Sequence, residues 1–175
     1  MERLALRYVE RFATTRGKLA DYLVRKARER GWAGEGDART VAEDLAEKMA
    51  GLGYVDDRAY ATAKAAALTR RGLGAGRVTM ALRQARVGAE DVAAVQPAVA
   101  RDRLDSALGF ARRRRIGPFA PAPVEKAQRE KHIGAMVRAG HSFVLARLIA
   151  FADPGQTIDV DTASAIGPCG DDEPC

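Results

Sequence analysis

Four arginines in succession, Arg112 to Arg115, are the residues whose type and spacing most plainly ask for a partner. At a helix C-terminus one or two cations complement the partial negative charge of the unsatisfied carbonyls. Four in a row point all round a helix and repel one another, so acidic or phosphate groups on a partner are the expected counterpart. Other arginines extend the pattern: Arg70 and Arg71 close one apolar-periodic segment, Arg83 and Arg86 lie opposite the apolar stripe of the next, and Arg77 lies at its flank. These nine define the candidate partner-binding face.

The remaining residues that could do chemistry point elsewhere. Adjacent Asp56 and Asp57 have no His or third acid close by, and they fit a helix N-cap with favourable dipole charge. His132 and His141 have no local nucleophile motif, and both are expected in loops or on the surface. Gly72-Leu73-Gly74-Ala75-Gly76-Arg77 resembles a phosphate cradle, but a helix rather than a strand precedes it, so a helix-helix turn is expected. Cys169 and Cys175 do not form a C-x-x-C and lie far from both histidines, which reads as two exposed thiols rather than a zinc site. Trp32 is expected to seal the end of a small core. No catalytic group, metal or cofactor is expected, and the chain reads as a non-enzyme.

The elements that must position the arginines are helices. Apolar residues recur at three- and four-residue spacing almost throughout, with no sustained alternation, so the class is all-α. Leu4, Tyr8 and Phe12 share a face; Thr14 and Thr15 offer a cap for a helix carrying Leu19, Tyr22 and Leu23; Val41, Leu45, Met49 and Leu52 mark a third helix. The plan then repeats. A helix after Asp56 or Asp57 buries Tyr60, Ala63, Ala67 and Leu68; one from about Ala75 buries Val78, Ala81, Leu82 and Ala85; a short one from Ala89 to Val95 is expected to stop near Pro97. A looser third round holds Leu104, Leu108 and Ala111, a Pro/Gly-rich loop from Ile116 to Pro123, a helix from Val124 to Ala139, and a last helix with Phe143, Leu145, Leu148 and Ile149.

Each round spans about 45 to 50 residues, as expected of stacked helical units. The predicted organisation is therefore an elongated or curved tandem of three-helix repeats at 4–53, 54–98 and 99–152, followed by a disordered acidic tail at 153–175. That tail carries six acids and no Lys or Arg; removing its acids leaves 17 against 29 bases, a charge of +12 on residues 1–152. A body so basic implies an anionic partner. No run of about 18 apolar residues could span a bilayer, and the first residues are helix-spaced rather than a charged leader with an apolar core. The expectation is a cytoplasmic monomer without membrane contact.

Three segments carry a family likeness. ALRYVERFATTRGKLADYLVRKA, LGYVDDRAYATAKAAALTRRGLGAGRVTMALRQARVGAEDV and KHIGAMVRAGHSFVLARLI resemble the opening, central and closing blocks of RecX proteins. The most diagnostic stretch is Leu52 to Ala61, with Asp56-Asp57-Arg58 before Tyr60-Ala61, then Gly72, Leu73, Gly74 and Arg77 at the expected distance. The resemblance covers residues 4 to about 150; the Pro-rich Ile116–Pro123 stretch and the acidic tail depart from it. It implies tandem three-helix repeats that bind the RecA recombinase filament along its groove and restrain strand exchange, ATP hydrolysis and co-protease activity. Weak, non-specific, salt-sensitive DNA binding would fit such a filament modulator. The competing reading is a helix-turn-helix-like DNA-binding transcriptional regulator. It would need base-reading side chains on one face, and the chain contains no Asn.

Overall fold

The computed structural model describes residues 1–159, and all regular structure among them is helical. The elements are α1 (Glu2–Val9), α2 (Arg16–Glu29), α3 (Ala38–Gly51), α4 (Asp57–Arg70), α5 (Ala75–Gln84), α6 (Ala89–Arg101), α7 (Arg103–Arg114), a 3-10 turn (Gly117–Phe119), α8 (Lys126–Arg138) and α9 (Phe143–Phe151). The all-α class expected from periodicity is the class observed. Two compact units divide the chain: Met1–Ala65 with Thr79–Gln96, and Ala66–Val78 with the residues from Pro97 onward.

Helices this short expose a large share of unpaired N–H and C=O groups at their ends, and the chain meets most of them with its own groups. Thr15 caps α2 by accepting from Lys18 N at 3.1 Å, Asp37 caps α3 by accepting from Arg39 and Thr40 N, and Ser142 caps α9 by accepting from Leu145 N. Asp56 accepts from Ala59 N at 2.8 Å and is the cap of α4. Five helices end in the same way: a residue with positive φ follows the last turn, and the next amide reaches back five residues to a helix carbonyl. These bonds run from Tyr54 to Met49, Leu73 to Leu68, Val87 to Leu82, Ile116 to Ala111 and His141 to Met136. The turning residue is Gly53, Gly72 or Gly140 in three of them, but Arg86 (φ 58°) and Arg115 (φ 54°) in the others.

In the first unit, Ala5, Leu19, Leu23, Ala42, Ala46, Met49 and Val55 form the buried cluster. Asp57, the first residue of α4, is buried, and its carboxylate accepts from Arg16 N at 2.9 Å and Arg16 Nε at 3.4 Å. The neighbour of the α4 cap thus also satisfies the start of α2, 41 residues earlier. Arg58 completes the set by donating to Asp91 of α6 at 2.7 Å. Buried Thr15 donates its hydroxyl to Ala85 O at 2.5 Å. Trp32 does not seal a core: its Nε1 donates to Gly36 O at 3.2 Å and its ring covers Gly34, closing its own loop.

In the second unit the core is built from Leu104, Ala107, Ala111, Ile116, Ile133, Met136, Leu145, Ala146, Ile149 and their neighbours. Gly74 lies so close to the Gly140 carbonyl that no side chain fits, and its N–H donates to Ala139 O at 2.9 Å. The glycine-rich segment is therefore a helix-helix turn pressed against the end of α8. The Ile116–Pro123 stretch is also partly internal, with Ile116, Gly117 and Ala120 buried.

Two expectations are corrected. The helix from Ala89 does not stop near Pro97 but runs to Arg101. Pro97 removes one bond, to the carbonyl of Ala93, and both residues are exposed, so that oxygen is left on the solvent side rather than in a core. Nor does structure end at Asp153: Ile158 is buried in the core of the second unit, Gly155 N donates to Pro118 O at 2.9 Å, and Arg129 pairs with Asp153 at 3.5 Å. The rest of the acidic tail, residues 160–175, with Cys169 and Cys175, lies outside the described residues.

Ile158 yields a stability prediction. A chain ending at Ala152 loses that burial, which is worth about 1.5–3 kcal/mol, whereas one ending at Asp159 keeps it. Melting curves should place the shorter protein several degrees lower; coincident curves would show that the Ile158 contact contributes nothing.

Candidate functional site

All nine candidate arginines are exposed, but the structure gives them unequal duties. Arg83 and Arg86 belong to the first unit, the other seven to the second. Arg86 turns the chain after α5 in the left-handed region, at a cost of about 1–2 kcal/mol for a non-glycine residue. Its carbon stem lies against Gly17, where a side chain would collide with it. Its guanidinium grips Asp21 with two bonds, Nε to Oδ2 at 3.0 Å and Nη2 to Oδ1 at 3.2 Å. Arg86 is thus a tie between α2 and the end of α5. Arg83, one turn earlier, has no side-chain partner among the described residues.

The Arg112–Arg115 run is similarly divided. Arg113 donates to the carbonyl of Arg71 and covers Gly72, so the run meets the end of α4 at that bond. Arg112 lies over the Phe119 ring with its guanidinium carbon 5.0 Å from the centroid, and Arg114 over Phe110 at 5.8 Å. Arg115 forms the left-handed turn that lets buried Ile116 reach the core. Three of the four therefore have internal partners through rings or a carbonyl, contacts that leave their positive charge unneutralised. Arg70, Arg71 and Arg115 have no side-chain partner among the described residues, whereas Arg77 is engaged within the fold.

His132 lies on α8, half-buried, rather than in a loop or at the surface, whereas His141 lies in the loop between α8 and α9 as expected, although buried there. The Nε2–H of His141 donates to Gly72 O at 3.1 Å, and its ring meets the edge of Phe110 at 5.7 Å. Burial outweighs the pull of that carbonyl and holds the imidazole below its ordinary value. Burial also lowers His132, whose Nε2 is 2.9 Å from Gln128. Asp56 and Asp57 are committed to helix ends. Among the described residues no three His, Cys, Asp or Glu side chains gather as a metal site would require, and no helix is long and apolar enough to cross a membrane.

One basic surface escaped the reading of the sequence. Arg3, Arg7 and Arg11 recur every fourth residue along α1 and its extension, next to the row Leu4, Tyr8 and Phe12. The cationic row has the same four-residue spacing in the sequence as the apolar row beside it.

A protein of Myxococcus xanthus (strain DK1622) named Regulatory protein RecX is 32% identical to this chain over 162 residues, covering 88% of this chain and 86% of that protein. No family model matches the chain, and no solved structure matches it.

The divided duties of the arginines can be measured. Arg86→Glu removes a two-pronged tie and sets a carboxylate against Asp21, so urea unfolding should show a loss of about 1–2 kcal/mol, whereas Arg83→Glu should stay within about 0.5 kcal/mol of the parent. Equal stabilities would remove the structural role given to Arg86. His141 sets a pH dependence. Below about pH 6.5 the unfolded imidazole takes up a proton that the folded one resists, so stability is full above that value and falls as pH drops toward the lowered folded value. His141→Gln keeps a donor but does not titrate. Melting temperatures between pH 7.5 and 5.5 should fall more steeply for the parent than for the variant, with His132 leaving a residual slope of the same sign; matching slopes would sink the assignment.

Proposed function

The chain belongs to the RecX family, and from that premise we propose that it is a regulatory protein that binds the RecA recombinase filament and restrains its strand exchange, ATP hydrolysis and co-protease activity. The observation that carries this reading is the likeness to Regulatory protein RecX along 88% of the chain. On this reading α1–α3, α4–α6 and α7–α9 are successive three-helix repeats, and each offers helix surface to an extended partner.

The charge distribution supports an anionic partner. Residues 1–152 carry +12, and Arg70, Arg71, Arg83 and Arg115 are exposed with no internal partner among the described residues. A repeating, negatively charged filament suits such a surface, because many modest contacts add and the field steers association. Arg86 is removed from the contact set by its tie to Asp21, and Arg113 by its bond to Arg71 O. The contacts on this reading fall to Arg70, Arg71, Arg83 and Arg115, with the rings beneath Arg112 and Arg114 holding those two cations outward. No observation favours the transcriptional-regulator reading.

The test is an ATPase titration of RecA on single-stranded DNA with the parent chain and with Arg70→Glu/Arg71→Glu. The parent should inhibit hydrolysis. The double variant should melt as the parent does, since exposed substitutions usually cost within about 0.5 kcal/mol, yet require at least tenfold more protein for the same inhibition. Equal inhibition by both would move the contact elsewhere, and no inhibition by the parent would overturn the functional reading.

A further inference from the structure

We infer that the N-terminal helix of this chain carries a binding site for single-stranded nucleic acid, formed by an aromatic ladder ending in an open ring and a row of unpaired arginines beside it. The ladder begins with Arg25, whose guanidinium carbon lies 5.7 Å from the Tyr22 centroid. Tyr22 stacks on Tyr8 at 4.2 Å with an interplanar angle of 25°, and Phe12 meets Tyr8 tilted by 46° at 5.2 Å. Phe12 is 57% exposed and ends the series. A large ring left this open, tilted against a stacked tyrosine pair, offers its face to one more planar group.

The cations run alongside. Although α1 ends at Val9, the amide of Phe12 still donates to Tyr8 O at 3.0 Å, so the helical register continues to Phe12. Arg3, Arg7 and Arg11 are then successive members of one row, about 6 Å apart along the axis. All three are exposed and have no ion-pair or hydrogen-bond partner for their side chains among the described residues. Arg7, Arg11, Tyr8, Phe12 and Tyr22 line one groove of about 510 Å³, in which Glu10 is the single acid. The other acid of α1, Glu2, is neutralised by Lys48 at 2.6 Å.

Cations at regular intervals answer a backbone with a charge on every unit, and a ring face answers a base; single strands present both together. A duplex keeps its bases stacked inside, and an acidic peptide offers charge without a planar group for Phe12. The site reads no sequence, because every base has a face to stack and no side chain here is placed to recognise a base edge. The inference does not rest on the recombinase reading, since it requires no second protein.

The test uses the full chain alone, with a fluorescein-labelled 30-nucleotide oligo-dT and an abasic strand of the same length, followed by anisotropy across a salt series. The parent should bind oligo-dT more tightly than the abasic strand. Arg7→Ala/Arg11→Ala should weaken oligo-dT binding about tenfold and lower the slope of log affinity against log salt by about 1.4, at about 0.7 per lost phosphate contact. Phe12→Leu keeps an apolar side chain but loses the ring. It should weaken oligo-dT binding about tenfold, leave abasic binding unchanged, and be rescued by Phe12→Trp. Melting curves of all variants should match the parent's, because the substituted side chains are exposed. Undiminished oligo-dT binding by either the double variant or Phe12→Leu would overturn the site. So would polyglutamate binding that Phe12→Leu weakens as much as oligo-dT binding, since the ring would then serve an acidic peptide.

Discussion

The buried carboxylate of Asp57 accepting the Arg16 amide at 2.9 Å illustrates the constraint on which the whole structure depends: short helices are mostly ends. The helices span 8 to 14 residues, and in a helix of that length the unpaired groups of its two ends are a large part of its backbone. An orphaned amide or carbonyl inside a core costs about 1–3 kcal/mol, comparable to the burial of a whole aliphatic side chain. A fold of this kind forms only if its sequence satisfies each end where it meets its neighbours. Asp56, Asp57 and Arg58 do so as a unit, capping their own helix, capping α2 and binding Asp91. The glycine and arginine turns after α3, α4, α5, α7 and α8 do the same for the carbonyl ends.

The same constraint explains why a chain rich in arginine uses much of it internally. Guanidinium offers several donors in a flat, weakly hydrated fork, so it can satisfy a carbonyl, grip a carboxylate or lie on a ring while staying charged and exposed. Arg113 does the first, Arg86 the second, and Arg112 and Arg114 the third. A ring beneath a cation leaves its positive field in place, whereas the Asp21 carboxylate cancels that of Arg86. Counting arginines therefore overstates the basic surface available to a partner.

Helix positions and the caps at Thr15 and Asp56 were legible in the sequence because they follow from local rules of periodicity and capping. Pro97 inside α6 was not, since the local cost of proline is overridden when its lost bond falls on the solvent side. The burial of His141 was hidden because it depends on a glycine turn 69 residues away. Ile158 was hidden for the opposite reason: one apolar residue in an acidic segment has no period, and only the hollow it fills reveals its role. In the candidate site, the identity of the arginines could be read but not their duties, because Asp21, Phe110, Phe119 and the Arg71 carbonyl are brought to them by tertiary structure. The arginine row of α1 was readable, with the same four-residue spacing as the apolar row beside it.

The stretch that carries the family likeness has a consequence for where contacts lie. Within Leu52–Ala61, Val55 and Ala61 are core, Asp56 and Asp57 cap helices, and Arg58 is bound to Asp91. Of the glycines that follow, Gly72 and Gly74 allow close packing in the second unit. Every one of these residues is accounted for by folding alone. The buried and capping residues of the stretch thus specify how the helices close on one another, whereas Leu52 and Tyr54 of the same stretch, and Arg77 after it, stay exposed. A partner reads exposed side chains whose removal leaves the helix ends satisfied, which directs the search to Arg70, Arg71 and Arg83 and to the open row of Arg3, Arg7 and Arg11 rather than to the buried and capping residues that identify the chain.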